Sequence, residues 1–271
     1  MLAEPRGFPQ AESAPLYALL GNGTLDSRIA ALFWLAAEHA ASIMVTALPR
    51  LAGKTTTLNT FLRFTAPDTT FRVIQGDHDP FEFVHEPPSP KRYLIANEFS
   101  PAPVPTYLWG PKVPLFLEAG RAGHPLAVTM HADAFDEVAS LLAQTGVAER
   151  HLAALDLYVL VRVVPSRAGP IRRVVEVRQL LSEDDGPLRT DMLVEWQPDS
   201  DTFRHHEPES LLKGIIPPPS WRLDEVKAEL ARRAAVLAGA ADQGALQREG
   251  LRAVLEAYRR DADAAAALYR S

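Results

Sequence analysis

The chain has 271 residues, enough for one large or two small domains, and 47% of them are hydrophobic, the composition of a folded protein with a core. A formal net charge of −6 argues against general nucleic-acid binding, which needs a basic footprint. There is no cysteine, which excludes a disulfide framework and a thiolate metal site and fits an intracellular compartment. The first residues lack a basic segment followed by an apolar core, so no secretory signal is expected. No apolar run approaches the ~20 residues needed to span a bilayer, so work at a membrane would go through docking partners.

In chain order, residues 1–24 read as a leader with a turn at Gly21-Asn22-Gly23. Asp26 is a candidate N-cap for a helix to about Ala40, because Ile29, Leu32, Phe33 and Leu35 recur at helical spacing. Ile43-Met44-Val45 begins a strand over 43–47, and a helix with Leu58, Phe61 and Leu62 on one face runs to about Phe64. Further strands are expected at Phe71–Ile74, Tyr93–Ala96, Leu126–Thr129, Leu155–Val164 and Arg172–Val177. Met192–Trp196 and Thr202-Phe203 read as a small hairpin, Pro217-Pro218-Pro219 as a linker, and 221–270 as two or three helices. Strands alternating with helices predict an α/β fold, with 25–181 as the core, 182–216 as a hairpin region and 217–271 as C-terminal helices. Several strands end in polar residues: Gln75 to Asp79, Asn97-Glu98 and His131. Ligands bind at that edge of an open parallel sheet.

Between the first core strand and its helix the sequence reads Pro49-Arg50-Leu51-Ala52-Gly53-Lys54-Thr55-Thr56. Strand, loop, Gly-Lys-Thr and helix form the context of a phosphate-binding P-loop. Backbone N–H groups of the loop and the helix N-terminus hold phosphate oxygens, the lysine neutralises charge, and the threonine hydroxyl ligates Mg²⁺. The full pattern asks for glycine at 48, where this chain has Leu48, and Leu51 stands where a small residue is easiest. An alternative reading of Gly-Lys-Thr is a helix start with an exposed lysine.

Beyond the P-loop, Leu25–Val45, Thr55–Phe64, Asp79–Glu86 (DPFEFVHE), Ala96-Asn97-Glu98, Ala122–Ala132 (AGHPLAVTMHA) and Asp191–Phe203 follow in a familiar order. The chain resembles the motor ATPases of type II and type IV secretion, type IV pili and archaella, most of all the archaellum- and Flp-pilus-like branch. The resemblance implies a RecA-type core with a mostly parallel central sheet, ATP and Mg²⁺ as cofactors, and a ring, usually hexameric. It also implies a cytoplasmic protein, peripheral at a membrane platform of a secretion or pilus system, with no nucleic-acid partner. Carried over, Lys54 contacts the β- and γ-phosphates, Thr55 holds Mg²⁺, Glu98 orients or activates the attacking water, and His131 senses the γ-phosphate. Arg121, Arg172 and Arg173 are candidate arginines acting on a neighbouring subunit.

The chain departs from that family's pattern at several places. His78 replaces the glutamate of the Asp box, with Asp77 as a substitute, and Asn97-Glu98-Phe99-Ser100 lacks the arginine of the Walker B ending. Pro87 to Pro90 takes the place of a helix, and the N-terminal domain of the family is not expected here. Glu98 also reads as a solvated strand cap, His124 and His131 as buried hydrogen-bonded groups, and Asp79 and Glu82 as loop carboxylates. His205 and His206 are adjacent on a strand and face opposite sides, so a shared metal is not expected. The functional expectation is a motor-type ATPase. The alternative is a catalytically degenerate paralogue that partners an active motor in a hetero-oligomer.

Overall fold

A computed structural model describes residues 14–49, 51–167, 169–182, 186–216 and 222–269. In chain order the elements are α1 (Leu16–Gly21), α2 (Ser27–Glu38), β1 (Ile43–Leu48), α3 (Lys54–Leu62), β2 (Thr70–Val73), β3 (Arg92–Phe99), α4 (Lys112–Arg121), β4 (Leu126–Met130) and α5 (Phe135–Ala143). They continue with β5 (Leu157–Val164), β6 (Ile171–Leu181), β7 (Arg189–Gln197), β8 (Thr202–His205), α6 (Leu223–Asp242), α7 (Ala245–Arg248), α8 (Leu251–Arg260) and α9 (Ala262–Leu268).

One 8-stranded sheet has the order β2-β3-β4-β1-β5-β6-β7-β8. From β2 to β5 every pairing is parallel, and from β5 to β8 every pairing is antiparallel. β1 lies between β4 and β5, so its apolar run is covered on both faces, as parallel core strands are. The chain thus adopts the expected α/β class with a RecA-type core: β1 lies inside a parallel sheet and leads through a short loop into α3. One core lies under α2, α3 and the C-terminal helices, around Phe33, Trp34, Phe61 and Leu237. The other lies under α4 and α5, around Phe116, Leu117, Val138 and Leu142.

Asp26 caps α2 as expected, its carboxylate accepting from Ile29 N at 2.8 Å. The other face of α2 receives α6 through a charged cluster. Arg233 stacks over Trp34 at 4.5 Å and pairs with Glu38 at 2.8 Å and Glu229 at 2.7 Å. Arg259 of α8 pairs with the same Glu38 at 2.9 Å.

Three expectations are corrected. The described part of the leader, from Ala14, contains α1, whose Leu16 and Leu19 are buried in the first core. The hairpin β7–β8 is not a separate layer, because β7 pairs with β6 and extends the core sheet. The C-terminal region has four helical segments rather than two or three. Gly244 and Gly250 at φ of 68° and 85° break it, and Asp261 caps α9 by accepting from Ala264 N. The expected linker Pro217 to Pro219 lies outside the described residues.

Candidate functional site

The site forms where β1, β3 and β4 end. β1 delivers the chain through exposed Leu48 and Pro49 into the loop, and Gly53, at φ 109°, caps α3. Only glycine adopts that φ without strain. Arg50 lies outside the described residues. Ala52 is buried, Leu51 is 89% exposed, Thr55 is exposed and Thr56 partly so. α3 starts at Lys54 and receives no side-chain cap. No side chain therefore satisfies its first N–H groups, the condition under which a helix N-terminus can take an anion.

Lys54 is only 7% exposed, which is unusual for a lysine. Its ammonium lies 3.5 Å from Glu98 Oε2 and 2.9 and 3.0 Å from the two ring nitrogens of His131. His131 Nε2 lies 3.1 Å from Glu98 Oε1, and His131 Nδ1 lies 3.3 Å from the Ala47 carbonyl. Lys54 can donate to one ring nitrogen at a time. With Nδ1 as acceptor, Nε2–H faces Glu98; with Nε2 as acceptor, Nδ1–H donates to Ala47 O.

The backbone aims these groups. The β3–β4 register shifts between Ala96 and Phe99, and this bulge turns Glu98 into the site. Leu108 N donates to Glu98 O, and Thr129 Oγ1 donates to Asn97 O at 2.6 Å, which holds the bulge from both sides. Beneath the loop strand, Thr46 Oγ1 donates to Tyr158 Oη at 2.9 Å, and burial raises the pKa of that phenol.

The structure brings together Gly53, Lys54, Thr55, Glu98 and His131, and separates the arginines. Arg173 is buried, donates to both carboxylate oxygens of Asp201 at 2.7 and 2.8 Å, and donates to the Asn22 carbonyl. Its guanidinium is committed inside its own chain, so the expected reach to a neighbouring subunit is corrected to a structural tie. Arg172 is exposed, but its guanidinium donates to the Leu51 carbonyl of the same chain at 3.1 and 3.3 Å. Arg121 ends α4 at the opposite edge of the sheet. There it borders a cavity of about 350 Å³ with Ser42, Arg150 and Asp156.

The Asp-box residues follow β2, with β3 and β4 between them and the loop strand. Asp79 is buried, accepting from Gln75 N at 3.1 Å, Phe81 N at 2.9 Å and Arg72 at 3.3 Å. Those bonds make it the organiser of its own loop, and Lys112 ties the carbonyls of Asp77 and Asp79. Sequence reasoning missed Arg162. It lies in β5 opposite Leu48 of the loop strand and holds Asp133, two residues after His131, at 2.8 Å. An arginine at the polar edge of an otherwise apolar strand is the signal that marks it.

The groups present fit a phosphate chain with Mg²⁺: a helix N-terminus without a side-chain cap, a buried ammonium, an exposed Thr55 and the buried carboxylate of Glu98. Among the described residues no group of three or more His, Asp or Glu forms a metal cage, and no helix is long and apolar enough to cross a membrane.

No family model matches the sequence. The chain is 25% identical over 209 residues to an uncharacterised protein, MJ0900, of Methanocaldococcus jannaschii; the match covers 68% of this chain and 37% of that protein. The chain therefore spans well under half the length of that relative. Among solved structures it is similar to the VirB11 ATPase of the Brucella suis type IV secretion system, crystallised with sulphate. The TM-score is 0.42 and the identity 17%, over 63% of this chain and 58% of that one.

Proposed function

We propose that this chain binds a nucleoside triphosphate with Mg²⁺ and is an ATPase of the secretion and pilus motor type. The observation that carries the reading is the buried Lys54 at the uncapped start of α3, facing Glu98 and His131 from neighbouring strands. A buried ammonium is costly unless paired. Here Glu98 and His131 supply that pairing, and both are groups that a terminal phosphate and its attacking water would engage.

In this reading the α3 N–H groups and Lys54 bind the phosphates and Thr55 offers its hydroxyl to Mg²⁺. Bound Mg²⁺ supplies charge neutralisation on the phosphate oxygens. Glu98 accepts a hydrogen bond from the attacking water and orients it. Lys54 must exchange Glu98 and His131 for phosphate, so binding alters contacts on β3 and β4 together. That coupling is what a motor needs to turn nucleotide state into movement between subunits of a ring. The proposed setting is a homo-oligomer, or a hetero-oligomer with a related motor, at the cytoplasmic face of a membrane platform.

A second reading is a catalytically silent partner of an active motor. The left-handed Leu51, at φ 65°, favours it, since leucine replaces the glycine chemistry of an efficient loop. Mg-ATP calorimetry with phosphate release on the same sample separates the two. Binding with turnover supports the ATPase, binding without turnover supports the silent partner, and no binding at millimolar ATP sinks the nucleotide reading.

A further inference from the structure

Leu51 poses a physical problem. Its φ is 65° and its side chain is 89% exposed. A left-handed leucine is disfavoured by about 5- to 30-fold in population, the equivalent of ~1–2 kcal/mol. An exposed side chain gains no burial in return. Something else must hold the backbone there.

Arg172, near the start of β6, crosses to the loop. Its Nε and Nη2 both donate to the Leu51 carbonyl, at 3.3 and 3.1 Å. Its Cδ passes 3.4 Å from where a Cβ on Gly53 would stand, so the side chain runs along the outer face of the loop. In a trans peptide the C=O and the following N–H point in opposite directions. Holding the Leu51 carbonyl outward therefore turns the Ala52 N–H inward, toward the space in front of Lys54.

We infer that Arg172 is a positioning residue acting within its own subunit: it holds the Leu51–Ala52 peptide in the phosphate-receiving orientation, at a position whose positive φ a glycine would adopt unaided. This deepens the nucleotide reading and rests on it for the identity of the anion, the phosphate chain of a nucleotide. The orientation of the peptide itself is testable without nucleotide.

The experiment uses the full chain as wild type, Arg172→Met, Arg172→Lys, Leu51→Gly and the double variant Arg172→Met/Leu51→Gly. Two quantities are read: amide hydrogen exchange over residues 51–56 without nucleotide, and Mg-ATP affinity at two protein concentrations. Arg172→Met should speed exchange in the loop several-fold and weaken Mg-ATP by about 5- to 30-fold. Leu51→Gly in the same chain should restore affinity to within about 3-fold, because glycine holds positive φ without support. Arg172→Lys should behave like Arg172→Met, since an ammonium lacks the fork that grips one carbonyl twice.

Unchanged exchange in Arg172→Met overturns the inference whether or not nucleotide binds. Failure of Leu51→Gly to restore affinity, or restoration by Arg172→Lys alone, overturns it in favour of a direct charge contact. A loss that grows on dilution overturns it in favour of a role on a neighbouring subunit. If wild type binds no Mg-ATP while Arg172→Met still speeds exchange in the loop, the strap stands and the nucleotide reading falls.

Discussion

Glu98→Gln should cost the free protein stability while tightening its hold on Mg-nucleotide. Lys54 Nζ lies 3.5 Å from Glu98 Oε2, and both side chains are buried. At that separation and an effective dielectric of ~20 the gross attraction is about 5 kcal/mol. Desolvation of the two ions offsets much of it. The glutamine amide keeps the shape and still accepts a hydrogen bond from Lys54, which leaves a net loss of roughly 1–3 kcal/mol. For a chain of this size that lowers Tm by several degrees, at about 2–4 °C per kcal/mol. With nucleotide bound, Lys54 faces phosphate and needs no carboxylate, and the repulsion between Glu98 and phosphate is gone. The same free energy should then reappear as roughly 5- to 150-fold tighter binding. Turnover should vanish with the water-orienting carboxylate. Scanning calorimetry with and without Mg-ATP, paired with a phosphate-release assay, reads all three effects. A variant with wild-type Tm and an unchanged nucleotide shift would refute the idea that Glu98 and phosphate compete for Lys54.

Lys54→Ala should weaken Mg-ATP by at least 10-fold and leave Glu98 buried without its cation; unchanged affinity by calorimetry removes the P-loop assignment. Asp156, whose Oδ2 accepts from Ser42 N at 2.6 Å, has its pKa raised by burial from 3.8 to about 7. The native state therefore keeps a proton that the unfolded chain releases, so this group's contribution to stability falls as pH rises from about 4 to 7. Asp156→Asn should flatten the urea midpoint across that window, and an unaltered slope would show that another group titrates there. Arg233→Met should cost about 1–3 kcal/mol, because it takes the cation from Glu229, leaves Glu38 with Arg259 alone and uncovers Trp34. Urea unfolding and proteolysis of the C-terminal helices read this, and a change under 1 kcal/mol would mean that the cluster does not hold α6 on α2.

Local signals carried most of the element assignment in this chain. The uninterrupted apolar run at Ile43 marked a strand covered on both faces, and Asp26 marked a helix start, because burial periodicity and capping act over a few residues. The context of strand, Gly-Lys-Thr and helix placed Lys54 at a helix N-terminus for the same reason. α1 escaped because it is a short helix whose two buried leucines have meaning only against a core built from later segments.

The composition of the site was set by the tertiary fold. Glu98 reaches Lys54 because β4 sits between β3 and β1 and because a bulge turns the strand end. Neither sheet order nor a register shift has a local code. Arg172 and Arg173 are neighbours in sequence, yet one donates to the Leu51 carbonyl and the other is locked on Asp201. Adjacent strand residues point to opposite faces, and what each face meets is decided by elements more than a hundred residues away for Leu51 and by the β7–β8 turn for Asp201. The sequence by itself determined which residues were candidates for phosphate contact. The packing of distant segments decided which of them stand together, because long-range contacts depend on sheet order and not on local propensity.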